Sequence, residues 1–332
     1  MVSESAAPKP LTIDIVICTF HREALLRRLL DSLEAMDPAP ATTFRVIVAD
    51  NSDEASARAA VQEAAATLTF DVVYLEAHPP NISVARNAAV ARATAPFVAF
   101  LDDDQEVTPG WLATVAAALR RHRHDVYFGP FEPVFAAPDN AGLVARQMFT
   151  RASTLPDGAE VAPGRAARLR QGFVLATSNT VFRRETMLAE DAPFDFYLGA
   201  NGGEDLLLMA RMHRAGRRFG WMSGAKVFDD IPASRCEIGY LARRAVAGGQ
   251  SFAIVTILTS PRPRLTALTV PLVAIAQLAA GLLPYAKALV AGDLDERQAQ
   301  RIAMAGRWGK LTYRSRRLPL YRWEDASRRS PA

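Results

Sequence analysis

Cysteine is almost missing from this chain, with two in 332 residues. Cys18 lies inside an apolar run and Cys236 beside charged residues, so there is neither a disulfide framework nor metal-ligand spacing. Both read as reduced thiols that pack as small hydrophobes. Glycine is missing from the turn after the first apolar run, where Thr19-Phe20-His21-Arg22 stands instead. That absence excludes the G-x-G-x-x-G turn of dinucleotide-binding oxidoreductases. It also argues against sugar-phosphate nucleotidyltransferases, which cradle a triphosphate in such a loop. Met1 to Pro10 has no apolar core and contains Glu4, so it reads as a polar tail rather than a signal peptide, and the folded part is expected in the cytoplasm. No internal repeat is visible.

What is present is apolar and asymmetric in charge. Half of the residues are hydrophobic, enough for a substantial core. From Arg301 onward nine basic residues stand against Glu324 and Asp325, so this tail carries +7 of a chain whose net charge is +4. A basic tail on a mildly acidic body suggests an anionic surface as partner, lipid headgroups or nucleic acid. No nucleic-acid recognition motif and no interleaving of aromatic with basic residues supports the second, so no nucleic-acid partner is expected.

Apolar β-rich runs alternate with helical patterns over the first hundred residues, the signature of an α/β fold with a mainly parallel sheet covered by helices. Ile13 to Cys18, Arg45 to Ala49, Asp71 to Leu75 and Phe97 to Leu101 read as strands. Glu23 to Met36 repeats leucine at helical spacing, and Asp53 to Ala66 reads as a helix capped by Asp53. A third helix is predicted from Asn81 or Ser83 through Ala93, and a fourth over Trp111 to His122. Phe135 to Arg170, rich in proline and glycine, reads as a long surface segment that could cover a site. Gly172 to Phe182 reads as a strand, Glu204 to His213 and Arg235 to Phe252 as helices, with short strands near Phe219 and Val227.

Three clusters carry chemistry. Asp102-Asp103-Asp104 follows an apolar strand directly, at the carboxyl end where open α/β sheets bind ligands. Adjacent carboxylates repel, and a cation offsets them; oxygen ligands favour Mg²⁺ or Mn²⁺, which bring phosphates with them. Gly202-Gly203-Glu204-Asp205 opens an apolar helix, where the dipole favours acids and the glycines let backbone approach a ligand. Asn81 to Asn87 sets Arg86 in the first turns of a helix, a place that can hold a phosphate.

Together the segments resemble family 2 glycosyltransferases. Ile15 to Arg22 looks like that family's first strand and loop, and Val46 to Ser52 its second strand with an acidic end. Ser83 to Asn87, Phe100 to Asp104 with Trp111 and Leu112 behind it, Thr177-Ser178-Asn179 and Gly203-Glu204-Asp205 recur in the family's order, over about residues 11 to 255. The resemblance implies the nucleotide-binding GT-A fold. It implies that Thr19, Phe20, Arg22 and Asp50 lie near the nucleoside, Arg86 near the ribose or diphosphate, and Asp102 and Asp103 on the donor side. Asp104 would ligate Mn²⁺ or Mg²⁺, Asp205 would be the catalytic base, and Asn179 and Glu204 would face the acceptor. Val227 to Arg235 is similar to a subgroup that includes bacterial exopolysaccharide glucosyltransferases, which implies Asp230 as a second metal ligand. Arg243 and Arg244, with Gly248, Gly249 and Gln250, would then close over the diphosphate. The Gln-x-x-Arg-Trp pattern of processive members is absent, which implies one sugar per encounter.

The expected activity is therefore inverting transfer of a sugar from a nucleotide-diphosphate donor, with UDP the family's commonest nucleotide. One base takes the acceptor proton and the metal stabilises the leaving group. Residues 1–10 form a tail, 11–260 the catalytic domain, and 261–332 a hydrophobic and basic membrane-associated region. Leu265 to Ala286 has no charge and the roughly 20 residues that a crossing needs. A single crossing would place the basic tail outside, against the positive-inside tendency. In-plane or re-entrant helices broken near Pro271 and Pro284 are expected instead, at the cytoplasmic face of the cell membrane, with a lipid-linked glycan as acceptor.

Overall fold

The computed structural model describes residues 9–315. The start of the polar tail and the basic residues from Arg316 onward lie outside the described residues. The strands are β1 (Leu11–Thr19), β2 (Thr42–Asp50), β3 (Val72–Glu76), β4 (Phe97–Asp102), β5 (Gln105–Val107), β6 (Val126–Phe128), β7 (Phe131–Phe135), β8 (Glu160–Val161), β9 (Thr180–Arg183), β10 (Phe219–Trp221) and β11 (Val227–Ile231). The helices are α1 (Glu23–Glu34), α2 (Arg58–Ala65), α3 (Ile82–Arg92), α4 (Trp111–Arg121), α5 (Leu143–Met148), α6 (Arg165–Gln171), α7 (Arg184–Met187), α8 (Phe196–Gly199), α9 (Glu204–Arg214), α10 (Ala233–Cys236), α11 (Ile238–Leu258), α12 (Pro263–Val290) and α13 (Leu294–Leu311).

The main sheet has the order β3-β2-β1-β4-β9-β6-β10-β8. Its first four strands are parallel, β9 runs antiparallel to both β4 and β6, and β8 is antiparallel to β10. Both faces are covered, which explains the unbroken apolar runs of β1 and β2. Ile13, Ile15, Ile17, Val46 and Val48 pack with Leu26, Leu29, Leu30 and Leu33 of α1. Val16, Ile47 and Ala49 pack on the other face with Ala85 and Ala89 of α3. Each of these four α1 leucines is fully buried, worth about 1.5–3 kcal/mol. A second sheet, β5-β11-β7, sets β11 antiparallel to β5 and brings Asp229 opposite Gln105.

Five local expectations differ from the structure. Asp53 caps nothing; α2 begins only at Arg58, because the Asp50 carboxylate organises the preceding turn through the Ser52 and Ala57 amides. Most of Gly172 to Phe182 is irregular rather than a strand. There Arg151 takes the carbonyls of Ala176, Ser178 and Asn179, which a strand partner would otherwise use, and Asn179 adopts φ +43°. Phe135 to Arg170 is not only a surface cover, since Val144, Ala145, Phe149 and Val161 are buried. The helix after Arg235 divides at Glu237 into α10 and α11.

The last difference concerns α12, which runs unbroken through Pro271 and Pro284. A proline in mid-helix strands the carbonyl four residues earlier. For Pro271 that is Ala267 O, and the Tyr313 hydroxyl donates to it at 3.3 Å. Behind α12, α13 packs closely on α11: a Cβ on Gly249 would stand 2.0 Å from Gly306 O, and one on Gly309 2.1 Å from Val246 O. Ile302 of α13 joins Ala145, Phe149 and Leu241 in a small core, so the chain after residue 260 returns to the catalytic body.

Candidate active site

The carboxyl ends of β1 and β4 are neighbours, with Cys18 opposite Asp102. The turn after β1 therefore sits against the three acids. Thr19 Oγ1 donates to Asp103 Oδ2 at 2.9 Å, and Arg22 Nη1 donates to Asp103 Oδ1 at 2.8 Å and to Asp104 Oδ2 at 3.2 Å. Burial pushes Asp103 up to about 6, with Arg22 opposing the shift. Arg235 approaches Asp104 from α10, at 3.1 Å. Asp102 is also raised, by burial and then by Asp104, so these acids resist carrying their full charge together.

Gln105 ties this group to the second sheet. Its Oε1 accepts from the Asp102 amide at 3.1 Å, while Nε2 donates to Ser178 Oγ at 2.6 Å and to Asp229 Oδ1 at 2.5 Å. Asp229 is pushed up to about 8, by burial first and then by Asp104 and Asp102. Arg151 lies beneath, 1% exposed, with its guanidinium given to the carbonyls of Gly129, Ala176, Ser178 and Asn179. Burial lowers it to about 9, against the pull of Asp229 and Asp102. The expected ligand Asp230 faces elsewhere: its Oδ2 accepts from Arg28 Nη1 at 2.6 Å, and only its amide touches the acids, donating to Asp104 O. Side chains alternate along a strand, so of the adjacent pair only Asp229 points inward.

The α9 start is held from two sides. Gly202 and Gly203 have φ of +82° and +110°, and a Cβ on Gly203 would lie 2.7 Å from Ser251 Cβ. Ser251 Oγ, on α11, donates to Gly202 O at 2.7 Å. The first acid, Glu204, is buried and forms an ion pair with Arg86, and among the described residues its Oε2 has no hydrogen-bond partner. Burial and then Asp205 raise Glu204, and Arg86 lowers it. Asp205 is half-buried and accepts from the Leu206 amide at 2.6 Å. The Arg86 charge reaches Glu204 and Asp205 on one side and Asp102 on the other.

Comparison with known proteins gives this arrangement a lineage. The profile of glycosyl transferase family 2 matches residues 14–185, more than half of the chain. The chain belongs to that family. It is 33% identical over 241 residues to the succinoglycan biosynthesis protein ExoM of Rhizobium meliloti (strain 1021), covering 73% of this chain and 74% of ExoM. It is 26% identical over 196 residues to the poly(ribitol-phosphate) beta-N-acetylglucosaminyltransferase TarS of Staphylococcus aureus (strain Mu50 / ATCC 700699), covering 58% of this chain and 33% of TarS. Among solved structures, S. aureus TarS 1-349 in complex with UDP-GlcNAc superposes with TM-score 0.53 at 19% identity, over 92% of each chain. The mannosyltransferase PcManGT from Pyrobaculum calidifontis, in complex with GDP-Man and Mn²⁺, superposes with TM-score 0.55 at 18% identity, over 93% of this chain and 88% of that one. The expected GT-A fold is therefore the observed one.

For a family 2 glycosyl transferase, the structure brings together Thr19, Arg22, Asp102, Asp103 and Asp104, and Arg86 with Glu204 and Asp205. Other assignments need correction. Asp50 is fully buried, and its oxygens are taken by Ser52, Ala57 and the Tyr74 hydroxyl at 2.7 to 3.0 Å, so it shapes the loop and has no oxygen to offer a nucleoside. Asn179 cannot serve an acceptor: Oδ1 accepts from Trp111 Nε1 at 3.0 Å, and Nδ2 donates to Pro130 O and Ala225 O. Arg244 lies over the Phe149 ring, Arg243 is exposed on α11, and Gly249 and Gln250 face α13 rather than a diphosphate. Phe20 packs edge-on to His21 in the turn after β1. Among the described residues no three His, Cys, Asp or Glu side chains form a metal-holding group.

Proposed function

We propose that this family 2 enzyme transfers a sugar, with inversion, from a UDP-sugar to a lipid-linked glycan acceptor in exopolysaccharide or cell-envelope glycan synthesis. The reaction would take place at the cytoplasmic face of the cell membrane. The observation that carries the reading is the division of carboxylates between two places. Asp102, Asp104 and Asp229 gather around the carboxyl end of β4 and the amino end of β5, while Asp205 stands apart at the start of α9, with the charge of Arg86 reaching both places. Such a division supplies one isolated base for the acceptor hydroxyl and a separate acidic face for the donor.

The donor face fits a divalent cation. Burial and the neighbouring charge of Asp104 both disfavour the ionised form of Asp229, a state that a cation relieves. Two carboxylates suffice for Mg²⁺ or Mn²⁺, which usually complete their shell with substrate phosphates and water. Asp104 and Asp229 would hold the ion, Asp229 taking the place first given to Asp230. When bound, it would neutralise charge on the departing diphosphate. Arg22 and Arg235, already paired with Asp104, would meet phosphate oxygens. Asp205 would accept the hydroxyl proton while Glu204, pinned by Arg86, orients the acceptor. ExoM's succinoglycan role supports the polysaccharide pathway, the UDP-GlcNAc complex of TarS a UDP donor, and the Mn²⁺ complex of PcManGT the metal.

The experiment is a screen of UDP-glucose, UDP-galactose, UDP-GlcNAc and GDP-mannose for nucleoside diphosphate release, with Mn²⁺, Mg²⁺ or excess EDTA. A β-linked product from an α-linked donor, made only with metal, is the expected result. Full turnover in EDTA would remove the metal, and an α-linked product would remove the inversion.

A further inference from the structure

We propose that α12 is a bar lying flat in the membrane interface, with one side bolted to the catalytic body and the other immersed in lipid. This rests on the membrane-surface reading above and specifies its geometry. The helix has 28 residues, about 42 Å at 1.5 Å per residue. Its buried stripe is Ala274, Gly281 and Ala288, seven residues apart, and a Cβ on Gly281 would collide with the Arg307 guanidinium of α13. On the remaining sides Leu265, Leu268, Leu272, Ile275, Leu282 and Leu283 are each more than half exposed. An apolar surface of this extent is not left to water in a soluble monomer.

Length alone would allow α12 to cross a bilayer. Its partner helix forbids this. Lys310 Nζ meets Gln277 Oε1 at 3.2 Å, Arg307 lies at Gly281, and Tyr313 reaches Ala267, so α13 runs antiparallel along α12. α13 carries Asp295, Glu296, Arg297, Arg301, Arg307 and Lys310. A crossing α12 would draw these charges into hydrocarbon or strip α13 from it, breaking the close contact of Arg307 at Gly281 and the hydrogen bonds of Lys310 and Tyr313. Lying flat avoids both. The occupant is lipid rather than a second copy because the exposed stretch has no charge between Arg264 and Lys287, while Arg262, Arg264 and Lys287 flank it. Cations at the ends of an apolar helix reach anionic headgroups while the stem stays in the acyl boundary. Behind the bar, α11 carries Ser251, which holds the loop before Asp205, so the membrane contact is built onto the element that positions the proposed base.

The test uses the full chain and vesicles of phosphatidylcholine with or without 30 mol% phosphatidylglycerol, about the anionic content of a charged leaflet. Wild type should float with the anionic vesicles, and Leu272→Glu/Leu283→Glu should lose at least about tenfold of that partition. Leu272→Gln/Leu283→Gln should lose part of it, which covers the case in which the glutamates impair folding. Melting temperature and donor turnover in buffer should not change in either. Orientation is read with Arg262→Cys and Ala291→Cys and a membrane-impermeant maleimide: both ends should label from outside the vesicle. Protection of one end would overturn the flat geometry. Absence of flotation, or a wild-type dimer that the glutamates turn into monomers without any vesicle binding, would overturn the lipid assignment. In both cases intact donor turnover would leave the enzymatic reading standing.

Discussion

Replacing Gln105 by leucine keeps the volume and removes three hydrogen bonds, to the Asp102 amide, Ser178 Oγ and Asp229 Oδ1. The bond to Asp229 has a carboxylate acceptor, worth about 1.5–3 kcal/mol. It also favours the ionised acid: Gln105 lowers the proton affinity of Asp229 while burial, Asp104 and Asp102 raise it. Without Gln105 the acid moves further above 8, and a cation must first displace its proton. If about 2–3 kcal/mol of that support is lost to metal binding, affinity falls by roughly 30- to 150-fold at 1.4 kcal/mol per decade. Calorimetric titration with UDP, with and without Mn²⁺, separates the outcomes. Metal-dependent UDP binding should weaken by that factor while metal-free UDP binding stays put. Gln105→Leu/Asp229→Asn should be little worse than Asp229→Asn alone, since both changes act on one carboxylate. Equal loss with and without Mn²⁺, or strict additivity, would show that Gln105 merely supports the fold.

Asp205→Asn should leave UDP binding near wild type and lower transfer by about 10²- to 10⁴-fold, the worth of a positioned base; retained turnover in a coupled UDP-release assay would move the base elsewhere. Glu204→Gln should chiefly raise acceptor KM, because it alters the charge of a buried pair with Arg86 while keeping the side chain's size. Asp104→Ala should abolish transfer and Mn²⁺-dependent donor binding, and chelation of wild type should do the same. For metal-free protein, Asp229 holds its proton up to about 8 when folded and only to the ordinary 3.8 of an aspartate otherwise. The unfolded chain then binds fewer protons between these values, so stability falls as pH rises through that window. Thermal melts at pH 4 to 9 should show this fall, and Asp229→Asn should flatten it. His124 works in the opposite direction: burial lowers its pKa below 6.5, and its buried Nδ1 has no hydrogen-bond partner among the described residues. Stability should therefore fall as pH drops below about 6.5 and less so in His124→Gln, measured by urea titration.

How much of this was legible in the sequence follows from the range of the interactions. β1 to β4, α1 and α3 were readable because each is an apolar pattern with a local cause: leucines at helical spacing, or Asn81 accepting from the Ser83 amide to begin α3. The acids after β4 and at the start of α9 were readable for the same reason, as charge at the end of an element. Gln105, Arg151 and Ser251 were not, because what defines them is a partner 49 to 124 positions away or a set of carbonyls that no side-chain pattern records. Arg151 illustrates the limit, since a fully buried arginine with no carboxylate in hydrogen-bond contact looks in sequence like a surface residue. The choice between Asp229 and Asp230 was lost by one residue, the distance that turns a strand side chain from one face to the other. It could be recovered only from the register of β11 against β5, which places Asp229 opposite Gln105. Family membership shares this asymmetry: the profile match ends at residue 185, before Glu204, Asp205 and Asp229. The acidic end of β4 is thus fixed by a shared pattern, whereas the proposed base and the proposed second metal ligand depend on how α9 and β11 return to it. Substrate choice within this family is therefore expected to follow from the half of the chain in which long-range packing, rather than local motif, sets the geometry.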